Sequence, residues 1–132
     1  MTIVITFGTY DTFHYGHWNL LYKASQYGKL YVFVSTDEFN MEKGKKCYLS
    51  ANTRAGIVGS LSFVDYVGFE HSWEQKEQVI KDLSVLDNDI LLIMGSDWTG
   101  KFDSLPCRVL YLPRTNGISS SLIKESVKNE NV

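Results

Sequence analysis

Five short apolar stretches, residues 3–7, 30–34, 66–69, 90–94 and 109–112, are rich in Val, Ile and aromatics and too short for helices of ordinary length. They predict five strands. Their near-continuous apolar character, without in/out alternation, suits strands covered on both faces of a parallel sheet. Between them, residues 16–27 place Leu20, Leu21, Ala24 and Tyr27 on one helical stripe, with Gly28 following as a left-handed stop. Residues 51–61 predict a second helix with Ser50 as N-cap, weakened by about 1 kcal/mol at each of Gly56 and Gly59 relative to Ala. Residues 73–83 predict a third. A last helix begins at Ser119, its N-cap, with Ile118 placed to staple onto Ile123, and it carries Lys124 and Lys128. This order predicts an α/β fold: an open five-stranded parallel sheet with helices on both faces and right-handed crossovers, in one domain over residues 1–132. Ligands of such sheets bind beyond the carboxyl ends of the strands.

The 132 residues include only two prolines, Pro106 and Pro113, and no repeat or Ser/Gly-rich linker that would mark a boundary. The longest apolar runs are five residues, against about 20 for a membrane span. Residues 1–6 lack the basic region and apolar core of a signal. Cys47 and Cys107 show neither CxxC nor zinc spacing; they read as small apolar residues in a reducing cytoplasm. Net charge is −2. That argues against a nucleic-acid surface, so an anionic ligand must be held by a local cluster.

Such a cluster lies where the first strand ends. Residues 8–17 place Asp11, His14 and His17 at the mouth of the sheet and the start of a helix. Three residues apart on a first helical turn, the two imidazoles are neighbours, able to touch different oxygens of one polyphosphate. Gly16 between them lets a ligand approach the backbone, and the helix N-terminus favours an anion. The competing readings are packing and a metal. Two imidazoles without a third ligand make a poor structural zinc site, so phosphate leads. The other phosphate-loop patterns, GxxxxGK[ST] and GxGxxG, are not met. Lys43, Lys45 and Lys46 follow the second strand and can fold over phosphates; Lys46 also reads as a solvent-facing residue. Arg114, Thr115, Gly117 and the Ser119/Ser120 helix start form a second anion cradle, or simply a capped helix.

Residues 8–11 (GTYD) with His14-Tyr15-Gly16-His17, and residues 114–119 (RTNGIS), resemble the two signatures of the HxGH nucleotidyltransferases. Residues 35–40, 73–76, 95–102 and 111–113 are similar to segments of the small bacterial glycerol-3-phosphate cytidylyltransferases, so the resemblance covers nearly the whole chain. It implies a Rossmann-like HxGH nucleotidyltransferase fold and transfer of CMP from CTP to sn-glycerol 3-phosphate, giving CDP-glycerol and pyrophosphate. It also implies Mg²⁺ with CTP and a cytoplasmic homodimer supplying teichoic-acid-type polymers. By resemblance, His14, His17, Lys43 and Arg114 are catalytic. Gly8, Thr9, Asp11, Gly16, Lys45, Arg54, Gly95, Asp97, Trp98, Thr115, Ser119 and Ser120 bind nucleotide, and Trp73 and Lys76, one helical turn apart, bind the acceptor. The histidines act as donors to the triphosphate during direct attack on the α-phosphorus. Asp11 orients a histidine or holds Mg²⁺ through water.

Three positions depart from the family pattern. Ser62 stands where relatives often carry Arg, which removes a phosphate partner on the acceptor side. Ser96 replaces a common Asp and Asn116 a common Glu. Another phosphorylated alcohol, ATP in place of CTP, or a catalytically silent nucleotide-binding module are the alternatives.

Overall fold

The computed structural model describes residues 1–87 and 89–115. Strands β1 (Ile3–Gly8), β2 (Lys29–Ser35), β3 (Tyr66–Glu70), β4 (Ile90–Gly95) and β5 (Arg108–Leu112) form one sheet in the order β3-β2-β1-β4-β5. Every pairing is parallel. Successive side chains of a strand point to opposite faces, and β1 shows the result. Val4 joins Leu30, Val32, Val34 and Ile93 against Leu21, Ala24 and Val58 on one face. Ile3, Ile5 and Phe7 join Leu92 and Met94 against Ile80 on the other. Helices α1 (Tyr15–Ser25) and α3 (Ala51–Gly59) therefore cover one face and α4 (Gln75–Leu83) the other. The predicted helix from Ser119 lies outside the described residues.

Local chemistry sets the element boundaries. Ser50 caps α3 by accepting from the Thr53 amide. Helix α4 starts two residues later than the 73–83 reading. Gln75 accepts from the His71 amide at 2.6 Å and donates to the Phe69 carbonyl at 2.7 Å, which holds residues 71–74 as a turn. A short helix that the apolar pattern did not announce, α2 (Asp37–Glu42), follows β2. Thr36 caps it and Asp37 and Glu38 occupy its first turn.

Gly28 corrects the left-handed stop expected after α1: its φ is not among the positive ones, and α1 ends at Ser25 with Gln26 as its C-cap. A Cβ there would overlap the Thr2 carbonyl, which accepts from the Lys29 amide where β2 begins beside β1. Close approach, not handedness, selects glycine.

Candidate active site

The last residue of each strand, Gly8, Ser35, Glu70, Gly95 and Leu112, opens on one cavity of about 520 Å³ at the carboxyl edge of the sheet. The sheet changes direction beside β1, where such crevices form. Beyond Gly8 the chain makes a tight turn in which Tyr10 and Thr12 have φ of 56° and 48°. The left-handed backbone folds the Tyr10 ring back over Gly8, where a Cβ would stand 2.7 Å from the ring. The turn thereby delivers Asp11 and the start of α1 to the cavity.

His14 is the N-cap of α1. Its Nδ1 accepts from the Gly16 amide at 3.0 Å, while the His14 amide donates to Nδ1 of His17 at 3.2 Å. The two rings stack with centroids 3.8 Å apart. Since both Nδ1 atoms accept backbone protons, this network assigns the ring proton to Nε2 in each neutral imidazole. Burial, then the Arg114 charge, lowers the pKa of His14. Burial pushes His17 down to about 3, with His14 lowering it further and Asp11 opposing. At neutral pH both rings are uncharged donors.

The lysine segment hangs from the end of α2. Lys43 is the C-cap and Gly44, at φ 75°, is the left-handed residue after it. The Gly44 amide donates to the Met41 carbonyl at 3.0 Å and the Lys45 amide to Asn40 at 2.8 Å, a Schellman motif. Lys43 Nζ sits 4.5 Å from the Phe39 ring centroid and 5.6 Å from that of Trp73, and donates to Ser35 Oγ at 3.2 Å. Burial, with Lys45 next, lowers its pKa to about 8. Lys45 and Lys46 also line the cavity.

Asp11 and Arg54 have partners that spacing did not announce. Asp11 is 2% exposed, and its oxygens accept the Tyr48 and Leu49 amides at 2.8 and 3.0 Å. It anchors the far end of the lysine segment. Arg54, expected beside the nucleotide, is fully buried and absent from the cavity wall. Its guanidinium donates to the Leu49, Thr9 and Ser35 carbonyls and to Asp37 Oδ1, at 2.7–3.0 Å. Four of its five N–H groups donate to these scaffold atoms, so it braces the walls.

Trp73 and Lys76 do meet, but across the start of α4 and not along one of its turns. Lys76 Nζ lies 5.1 Å from the Trp73 ring centroid, with Phe7 and Phe102 at 4.7 and 5.0 Å. Its charge is already matched: at 3% exposure it pairs with the equally buried Glu70. Gly95 at the end of β4, with Asp97 and Trp98 on the 3-10 turn (Ser96–Trp98) that follows, forms the opposite wall. Trp98 faces Trp73 at 6.0 Å. Arg114 is 59% exposed and loosely paired with Asp97 at 3.4 Å; Thr115 Oγ1 accepts from Asn19 of α1 at 3.1 Å. Ser62 is exposed in the turn after α3 and does not line the cavity. Ser119, Ser120 and Asn116 lie outside the described residues.

Among the described residues around this cavity, Lys23, Lys43, Lys45, Lys46, Lys76 and Arg114 face only Asp11, Glu70 and Asp97. A chain of net charge −2 has thus concentrated positive charge at one site, shaped for a polyanion. Sequence reasoning missed Glu70, Ser35 and Asn40. Only their places at strand ends or on the short α2 give them meaning, and no spacing motif marks them.

Comparison with known proteins is consistent with this geometry. Residues 5–126 match the family model described as cytidylyltransferase-like. A glycerol-3-phosphate cytidylyltransferase of Bacillus subtilis (strain 168) is 48% identical over 131 residues, covering 96% of this chain and 98% of the relative. One from Staphylococcus aureus (strain NCTC 8325 / PS 47) is 46% identical, covering 96% of each. The crystal structure of the lipopolysaccharide core biosynthesis protein from Thermoplasma volcanium GSS1 superposes with a TM-score of 0.63 at 22% identity, covering 87% of this chain and 97% of that one, a likeness of fold.

Proposed function

This chain belongs to the cytidylyltransferase-like family, and from that premise we propose that its cavity transfers CMP from CTP to sn-glycerol 3-phosphate, giving CDP-glycerol and pyrophosphate. A phosphate oxygen of the acceptor attacks the α-phosphorus of CTP. The bond from that phosphorus to the bridging oxygen breaks, and pyrophosphate leaves with the electron pair. No side chain becomes covalently attached. The task for the protein is to hold two anions together and to stabilise charge growing on the α-phosphate and the leaving group.

The observation that carries this reading is the capping network, in which the helix backbone occupies Nδ1 of His14 and His17 and fixes both as neutral Nε2–H donors. Donors whose orientation is set before substrate arrives need little reorganisation as charge develops. Lys43 and Lys45 serve the triphosphate from one side and Arg114 from the other. The indole of Trp73 offers a wall to the acceptor, while the Lys76–Glu70 pair presents both a donor and an acceptor for its hydroxyls.

Mg²⁺ is the cofactor expected with CTP, and bound to the triphosphate it would screen phosphate charge. The protein groups do not fit a resident ion. Asp11 is engaged by two amides, Glu70 by Lys76 and Asp97 by Arg114. Among the described residues no three His, Cys, Asp or Glu side chains converge as an ion site.

A cytoplasmic homodimer supplying teichoic-acid-type polymers is the setting this reading implies. No helix among the described residues is long and apolar enough to cross a membrane. Pyrophosphate release over a panel of nucleotides and phosphorylated alcohols tests the activity. CTP with glycerol 3-phosphate is expected to be the preferred pair; turnover only with ATP, or none with glycerol 3-phosphate, refutes it.

A further inference from the structure

We propose that Asn40 is a positioning residue for nucleotide transfer: it fixes the lysine segment against Thr9, and so sets the distance between the ammonium groups and the turn that carries the histidines. The inference rests on the CTP reading above. Asn40 is 1% exposed and does not line the cavity, yet Thr9, Lys45 and Cys47, which it binds, all do. Its Oδ1 accepts from Thr9 Oγ1 at 3.2 Å and its Nδ2 donates to Cys47 Sγ at 3.3 Å. Its main-chain carbonyl accepts the Lys45 amide at 2.8 Å, while its own amide donates to the Thr36 carbonyl at 3.0 Å.

One buried side chain therefore joins the end of β1, the end of α2 and the lysine segment. Asp11 and Arg54 hold the far end of that segment, at Tyr48 and Leu49. The main-chain carbonyl of Asn40 holds the near end at Lys45, and its side chain ties Cys47, further along the segment, to Thr9. A buried amide must be satisfied, so losing a partner moves the segment or leaves a polar group unpaired. A displacement of about 1 Å in groups that position substrate is enough to cost large factors in rate or binding. The thiol is a weak acceptor, which makes the Cys47 link the one most readily exchanged for another.

The test reverses that link. Asn40→Asp keeps an acceptor for Thr9 and removes the donor to Cys47. It is expected to raise KM for CTP about tenfold, the loss of roughly one hydrogen bond, with kcat at saturating CTP within about threefold. Adding Cys47→Ser supplies a hydroxyl donor to the new carboxylate and should restore most of the KM. Adding Cys47→Ala, with the same extra charge, should not. Melting temperatures measured alongside separate positioning from general loosening. An unchanged KM in folded Asn40→Asp, or equal KM in the two double variants, overturns the proposal.

If Asn40→Asp does not fold, Cys47→Val carries the test at a half-buried position. A KM for CTP raised about threefold or more supports the proposal, within the range for one weak hydrogen bond, and an unchanged KM overturns it. The unsubstituted protein is assayed first. Absence of CTP turnover there would refute the functional reading and this inference with it, whereas failure of the variants alone refutes only the role of Asn40.

Discussion

A histidine that accepts a backbone proton at Nδ1 cannot also become imidazolium without breaking that bond. The consequence for His14 and His17 is a pair of donors that resist protonation, His14 below the usual histidine range and His17 down to about 3. His14→Ala or His17→Ala is expected to lower kcat by about 10²–10³, the usual effect of losing a donor aimed at transition-state charge. Steady-state kinetics check this, and a loss below tenfold in both removes the assignment. Lys43 behaves in the opposite way. With its pKa lowered to about 8, it loses its charge within an ordinary assay range. In the free enzyme kcat/KM for CTP should therefore fall as pH rises through about 8. Lys43→Arg, a cation throughout, should level that side of the profile.

At the scale of elements, the apolar runs made the five strands legible because burial on both faces leaves little room for polar residues. The cap at Ser50 was legible for a similar reason: one hydroxyl and one amide suffice. Helix α2 was harder to read. Its six residues carry no apolar stripe of useful length, and only Thr36, the two acids and Gly44 mark its ends. The partners of Arg54 and Lys76 were not legible because spacing shows which residues are near in sequence but not which third group engages them. Asp37, 17 residues from Arg54, and Glu70, at the end of another strand, supply those partners.

Gly44 offers a test at this scale. A Cβ there meets nothing within 4 Å, so Gly44→Ala acts through backbone conformation alone. It should lower unfolding free energy by about 1 kcal/mol and raise KM for CTP by disturbing Lys45. Gly44→Asn, more tolerant of the left-handed region, should do less of both. Denaturant titration and kinetics on the same samples decide.

For the whole molecule, the depressed histidine pKa values make acid a destabilising condition. Below pH 6.5 the unfolded chain takes up protons that folded His14 and His17 refuse, so stability is lost as pH falls from there toward about 3, where His17 at last accepts one. Unfolding free energy measured between pH 7 and 5 should decline. The double variant His14→Ala with His17→Ala should decline less steeply, even if its stability at pH 7 differs.

Parallel connectivity brings every strand to its end at the same edge of the sheet, and the chain returns through helices to the other edge. That far edge is tied by contacts of Met1 with Asp87 and of Arg108 with Asp89, none of which touches the cavity. Chemistry and scaffolding are thus partitioned between two rims. The exposed bend at Val85 and Leu86 is accordingly a natural seam for grafting a tag or a fused partner, where sequence can drift or lengthen without disturbing the reaction.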